Sequence, residues 1–469
     1  MYQTITHYAA WPSLLKAGQV NEITVTATQR TFMFWEDKEY TVRINALFAD
    51  VEDYHYAIHK TDLTVKGHKG ILKFSHLFEG EGEYWIDISD DEKPLGSVHV
   101  YALQDDLYGL RPLKGDFHSN RYRSDGTEDP GMVASLFREY GYDFFVLTDH
   151  NRYYPGAELL DGYDGIPLGL HLIRGEEVHT PGSMVHLVHV GGTGSVAEIY
   201  VHDRPTYEKE YKAIEKELSD RIPAQYRARY AMAMWAADKI HSFGGIAVIA
   251  HPYWHHGGSH TYNITPEFLE LLLNSGKFDA MEVGGGIGHI GINLTLARWQ
   301  EWTAKGNAIT IMGTSDIHGF NNRDFNTRYS VVFAKDNTTE SILDALKAGL
   351  CVSVEGNNDP HLPEYRCYGS LRLVTYAQFL LNNYFTETRH IAEGEGPAMR
   401  RYLTGEENGE LLSAMADRVD NYYRRYAGID APILPTDKML ERIEHWRDLQ
   451  RNGPPTCSSY LLSGKKPHI

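Results

Sequence analysis

The stretch GMVASLFREYGYDFFVLTDHN, residues 131–151, sets a helical pattern ahead of an apolar run that stops at Thr148, Asp149 and His150. The same order returns twice. YAMAMWAADKIHSFGG (230–245) leads into IAVIAHP (246–252), and NLTLARWQEWTAKG (293–306) leads into AITIMGTSDIHG (308–319). Helical segments alternating with short apolar runs argue for an α/β layered or barrel fold. In such barrels the chemistry sits at the C-terminal strand ends, where the βα loops converge. Here the polar residues gather at those ends.

Outward from this centre the pattern changes on both sides. From about residue 21 to 103, ITVTATQ, YTVRINAL, YHYAIHK, ILKFSHLF, GEYWIDIS and SVHVYAL are rich in β-branched and aromatic residues. Gly, Asp and Lys clusters break them at a spacing that predicts an immunoglobulin-like β-sandwich over residues 1–108. It carries no clustered catalytic residues, so a packing or interaction role is expected. Past Glu355 the chain turns helical and polar, as in GELLSAMADRVDNYYRRYAG (409–428) and DKMLERIEHWRDL (437–449). A helical C-terminal extension is expected over 356–469, leaving 109–355 for the barrel. Within the barrel, EKEYKAIEKELSDR (208–221) has the i,i+4 Glu/Lys spacing of a solvated helix face.

A chain of 469 residues can bury a substantial core in two or more units. A formal net charge of −18 argues against a stable nucleic-acid partner, which calls for a basic face. A phosphate-bearing small substrate is still allowed, because bound cations can reverse the local field. The opening MYQTITHYAAWPSLLKAG shows no basic segment followed by an apolar one, and no long apolar window suggests a membrane span. Three scattered cysteines (Cys351, Cys367, Cys457) fit a reducing compartment and offer no thiolate cluster. A cytoplasmic location with no membrane partner is therefore expected, and a homo-oligomer is left open.

Histidine is abundant, at 24 copies, and the informative ones stand beside carboxylates. Five segments begin where apolar runs stop. They are GDFHSNRYRSDG (115–126), LTDHN (147–151), RGEEVHT (174–180), AHPYW (250–254) and GTSDIHG (313–319). Any one alone is weak, since a single His at a strand end is usually a hydrogen-bonded structural residue. All five in regular α/β order point to a shared metal site. Neutral imidazole and carboxylate suit Zn, Mn or Fe, and a carboxylate can bridge two cations around an activated water. GGGIGHIG (284–291) matches a dinucleotide-binding glycine pattern, but it lacks a convincing acidic partner on a following strand. A tight βα loop is the better reading.

Taken together, the segments resemble the PHP (polymerase and histidinol phosphatase) family. Its order is H-x-H with a following S-D-G, then T-D-H, G-x-E, A-H-P and S-D-x-H. This chain shows His118 with Ser124-Asp125-Gly126, Thr148-Asp149-His150, Gly175-Glu176-Glu177, Ala250-His251-Pro252 and Ser315-Asp316-Ile317-His318. The resemblance spans about residues 114–355. It implies a distorted (β/α)7 barrel, two or three divalent metal ions, and hydrolysis of phosphate esters by a metal-activated hydroxide.

Carried over by position, it implies His118, Asp125, His150, Glu177, His251, Asp316 and His318 as metal ligands. Glu177 is the implied bridge, and Glu177 and Asp316 are expected to be catalytic. His186, in VHLVHVGG (185–192), matches a further ligand, and His189 is expected to share its strand face. Asp116, Asn120 and Asp149 are expected to support the ligands from behind. Arg123, Arg152 and Arg323 adjoin the ligand segments and are expected to clamp a phosphate. One departure matters: Asn120 stands where the family's second histidine would be. The function expected is a metal-dependent phosphoesterase acting on a small phosphorylated metabolite or nucleotide. Two rivals remain, an amidohydrolase-type metal hydrolase and a catalytically weakened metal-binding or interaction protein.

Overall fold

The computed structural model describes residues 6–49, 51–53, 56–57, 60–91, 93–218, 220–256, 260–319, 325–357 and 364–452. Arg323, the 453–469 tail and part of the YHYAIHK segment lie outside the described residues. The chain divides into two compact units, one built from 109–423, the other from the preceding residues together with those from 424 onward. The expected 356–469 extension is thus shared between the units instead of forming one body.

In the first unit, a ten-stranded sheet is formed by β1 (Arg111–Asp116), β2 (Phe144–Leu147), β3 (His171–His179), β4 (His186–Val190), β5 (Ile246–Ile249), β6 (Ala280–Glu282), β7 (Thr310–Met312), β8 (Arg328–Ala334), β9 (Cys351–Gly356) and β10 (Tyr365–Tyr368). Their spatial order is β7-β6-β5-β4-β3-β2-β1-β8-β9-β10. Neighbours β1–β2–β3 and β5–β6–β7 pair in parallel. Strand β4 runs antiparallel to both β3 and β5. The fold is therefore mixed α/β. A short loop, not a helix, joins β3 to β4, and β8, β9 and β10 pair antiparallel, with helix Thr339–Lys347 between β8 and β9. Parallel strands such as Phe144–Leu147 and Ile246–Ile249 are buried along their whole length. Such strands read as apolar runs because both faces are covered.

The sheet curls nearly closed. Ser330 Oγ on β8 donates to Gly313 O at 2.9 Å and accepts from Gly313 N at 3.0 Å, just past β7. Ser353 Oγ on β9 donates to Val283 O, just past β6, at 3.2 Å. Inside, Leu113, Phe144, Val146, Val188, Val248, Ala280 and Met312 form one apolar cluster. Ile342, Leu343 and Leu346 of helix Thr339–Lys347 join it. Outside, Val178, Leu187, Ile249 and Met281 pack with Trp235, Phe268 and Leu272 from covering helices. Helix Pro130–Glu139 starts where Asp129 caps it, accepting from Gly131 N and Met132 N ahead of a first-turn proline. Glu395, at the start of helix Glu395–Leu403, forms a buried 2.6 Å pair with Arg138 and accepts from Gly169 N. That pair makes the 371–403 helices integral to this unit.

In the second unit, a three-stranded sheet (Tyr8–Trp11, Gln19–Ala27, Leu72–Phe78) and a five-stranded sheet share one core cluster. Alternation selects the inward residues: Tyr40, Val42 and Ile44 on one strand, Tyr84, Ile86 and Ile88 on another. Among the described residues, no helix is long and apolar enough to cross a membrane.

Candidate metal centre

Strand direction explains how distant residues meet. The parallel strands β1, β2, β3, β5, β6 and β7 all end at one mouth of the sheet. There the chain delivers His118, His150, Glu177, His251, Glu282 and Asp316, each within four residues of a strand end. β4 runs the other way and contributes from its first residue, because His186 pairs with His179 at the end of β3.

Glu177 is the hub. Its side chain is 1 % exposed. Oε1 lies 2.9 Å from His179 Nε2, 3.0 Å from His186 Nδ1 and 3.0 Å from His251 Nε2. Oε2 lies 2.7 Å from His150 Nε2 and 3.0 Å from His118 Nε2. A carboxylate has about four lone-pair sites, so five imidazoles overfill it as a hydrogen-bond acceptor. The His179 nitrogen indeed makes no hydrogen bond despite its approach. Ligands of one Zn²⁺, at about 2.0–2.2 Å from the ion, lie about 2.9–3.5 Å apart at right or tetrahedral angles. The spacings around Glu177 match such ligand edges. Four overlapping sets have ligand atoms within 4.8 Å of one another: His118–His251–Asp316, Asp125–His150–His318, His150–Glu177–His179 and Glu177–His186–His251. The donor set therefore fits divalent cations.

Charge follows the same geometry. Burial opposes ionisation of Glu177, but His118 and the other imidazoles outweigh it and hold the carboxyl well below its usual range. Burial also disfavours the charged form of His118, yet Glu282, Asp316 and Glu177 hold that ring well above its ordinary value. His186 is pushed down to about 4 by burial. Asp316 is raised by burial, while Asp125 is lowered by His318 and His150 against a burial penalty. Buried carboxylates of this density need positive partners. Cations among neutral imidazoles meet that need.

The supporting residues tie the ligand loops together. Asp116 accepts from His118 N at 3.2 Å and Ser315 N at 3.1 Å, and takes the Ser315 hydroxyl on its other oxygen. Burial raises its pKa to about 6. Asp149 accepts from Arg121 N at 2.8 Å and Ser124 Oγ at 2.5 Å, pinning the loop that carries Asn120 and Asp125. The buried Arg121 guanidinium donates to Asn120 O and, at 2.7 Å, to Ile317 O. Backbone bonds Asn120 N to Ile317 O and Asp316 N to His118 O, both 3.0 Å, complete this clasp. Asn120 faces the cluster: Nδ2 lies 3.0 Å from Asp316 Oδ1 and 3.3 Å from His318 Nε2, and the buried Oδ1 makes no hydrogen bond. Left-handed backbone at His251 (φ 24°) and Asp316 (φ 47°) concentrates strain here. Gly284, Gly285 and Gly286 all have positive φ, and a Cβ on Gly286 would lie 3.0 Å from Asp316 Oδ2. The glycines thus serve a tight loop against a cluster carboxylate.

One expectation is corrected. His189 lies three positions beyond His186, an odd spacing that puts it on the opposite face, where its Nδ1 meets Glu176 at 3.3 Å. Glu176 likewise points away and takes Val196 N and Ser195 Oγ. Among the arginines, Arg123 is engaged by Glu158 through two bonds of 2.9 and 2.5 Å, Arg152 is exposed beside His150, and Arg323 lies outside the described residues.

Sequence reasoning passed over two residues of the cluster. His179 follows Glu177 by two positions, and period-two alternation alone places it on the same face. Glu282 ends the apolar run DAMEV, where the neighbouring glycines draw the eye. It is fully buried, with Oε1 2.7 Å from His118 Nδ1 and Oε2 accepting from His251 N at 2.7 Å. A cavity of about 540 Å³, lined in part by Arg111, His171 and Asn337, lies at the opposite, N-terminal strand ends. That cavity and the clustered chemistry thus occupy different ends of the sheet.

No family model matches the chain, and no curated protein does. Solved structures similar to it include a two-domain protein from Bacteroides vulgatus assigned a PHP-like metal-dependent phosphoesterase, at 22% identity, covering 53% of this chain and 66% of that one, TM-score 0.37. The chain thus spans just under two thirds of that protein's length. A Bifidobacterium adolescentis protein assigned as a metal-dependent phosphoesterase is similar at 17% identity, covering 44% of this chain and 88% of that one, TM-score 0.32. An amidohydrolase from Chromobacterium violaceum, with bound sulfate and no metal, shows the same 17%, 44% and 88%, with a TM-score of 0.29. Structures assigned as PHP-like metal-dependent phosphoesterases are thus among those to which this chain is similar.

Proposed function

We propose that this chain is a metal-dependent hydrolase whose substrate is a small phosphate ester, a phosphorylated metabolite or nucleotide. The observation that carries the reading is the ring of five imidazole nitrogens within 3.0 Å of one buried carboxylate. His118, Asp125, His150, Glu177, His186, His251, Asp316 and His318 would hold two or three divalent ions of the Zn, Mn or Fe class. When bound, such ions supply Lewis acidity and lower the pKa of water toward about 7. Glu177 would share its two oxygens between cation positions. Asp316, at 13 % side-chain exposure, stands between the buried ligands and the open mouth, where it can take a proton from an incoming water. Asp116, Asp149 and Arg121 would fix the two loops so that the ligands do not reorganise during reaction. Arg152, exposed and two residues past His150, would be the described arginine to meet a phosphate.

A second reading keeps the site and changes the bond to an amide. One observation weighs against its lysine-bridged form: Lys114, the lysine beside the first ligand segment, commits Nζ to Tyr140 O at 3.0 Å and Asn326 Oδ1 at 2.9 Å. Turnover by metal-reconstituted protein on phosphomonoesters, phosphodiesters and cyclic amides separates the readings. Phosphate-ester turnover that vanishes on chelation is expected. Amide turnover alone, or no turnover with metal bound, would overturn the phosphoesterase reading.

A further inference from the structure

Five imidazoles face Glu177, and four of them, His118, His150, His186 and His251, belong to the motif set or its companion strand. The fifth is His179. Its Nε2 is buried, lies 2.9 Å from Glu177 Oε1, and makes no hydrogen bond. The ring cannot swing aside easily, since it stacks on His186 with centroids 3.6 Å apart and tilts against His150 at 4.4 Å. Its backbone N–H donates to Asn151 Oδ1 at 2.8 Å, and Asn151 also accepts from the Tyr200 hydroxyl. A rigidly held imidazole with an idle nitrogen beside an overfilled carboxylate has the geometry of a ligand. Across Glu177, Asn120 offers an amide where an imidazole would complete the H-x-H pattern.

We propose that His179 is a metal ligand through Nε2, closing a cation position with Glu177 and His150. The inference rests on the metal-dependent reading above. Ligand atoms of these three residues lie within 4.8 Å of one another, a span one cation can bridge. Neutral His150 has a single lone pair, so it serves this position or the one with Asp125 and His318; His179 is what makes the former competitive. This position, like the other three sets, pairs two imidazoles with one carboxylate, a donor set that suits Zn²⁺.

The test uses the full chain, stripped by chelator and titrated with Zn²⁺ against a chromophoric competitor, with bound metal counted by elemental analysis. His179→Ala should weaken one Zn²⁺ binding step by more than ~10-fold, the low end for losing even an outer partner of a ligand. Should the alanine protein not fold, carbethoxylation of wild type read by mass spectrometry supplies a second measurement, with Zn²⁺ expected to protect His179. Wild-type Zn²⁺ binding with an unchanged His179→Ala protein, or with His179 labelled equally with and without Zn²⁺, overturns the inference alone. A wild-type protein that takes up no divalent metal overturns both the inference and the reading beneath it.

Discussion

Glu282→Gln is the sharpest probe of how the centre is held. The carboxylate receives His118 Nδ1 on one oxygen and His251 N on the other, both at 2.7 Å, in a fully buried setting. Glutamine keeps the shape but replaces one acceptor with an NH₂ donor. If the amide oxygen stays with His118, the His251 N–H loses its acceptor, which costs about 1–3 kcal/mol of stability. If it turns to His251, the NH₂ faces Nδ1 of His118, and the imidazole proton must move to Nε2. That nitrogen points at Glu177 and Asp316, so its lone pair is lost to any cation there. Loss of such an orienting partner typically weakens metal binding about 10–100-fold, equivalent to about 1.4–2.7 kcal/mol. Urea denaturation in chelator reads the first effect, and competitive metal titration reads the second. A Glu282→Gln protein with wild-type values in both assays would refute the orienting role.

Three further outcomes are expected. Glu395→Ala strands Arg138 in the interior, and should destabilise the 109–423 unit by about 3–5 kcal/mol in denaturant titration; a loss below 1 kcal/mol would show the pair to be dispensable. Burial lowers the Lys114 amine to about 7, against about 10.4 in an unfolded chain. The unfolded state therefore binds the extra proton between those values, so stability should rise from pH 7 toward pH 10, and this contribution levels off below 7, where both states hold the proton. Lys114→Met should flatten that rise, and an unchanged slope between the two proteins would assign it elsewhere. Asn120→His should raise bound metal per chain or tighten one step, measured by elemental analysis; unchanged uptake would mean that an imidazole at 120 adds nothing to this centre.

The α/β layering of the first unit was legible because its parallel strands are buried on both faces and end in polar residues. The same feature exposed most of the cluster, since each strand end hands its next residues to one mouth. What stayed hidden was pairing direction. Nothing in VHLVHVGG marks β4 as antiparallel, and only that direction brings His186 to the mouth from the start of its strand. Glu282 was obscured because an acid at the end of a three-residue apolar strand looks like the start of a loop. The strand Lys60–Lys66 escaped notice because Val65 is its single buried residue. Division of the C-terminal helices between two units is a tertiary outcome that helical periodicity does not encode.

The hairpin made by β3 and β4 sets His179 directly across from His186, with Glu177 on the same strand face as His179. Side chains alternate along strands, so a slip of one residue would present Leu187 in place of His186 and turn the imidazole outward. Ion uptake is therefore a gauge of alignment: a chain that has zipped these strands one step out could not fill its centre. Shortening or lengthening the 180–185 connection by a single residue would be read out as lost loading long before any change in overall helix or sheet content.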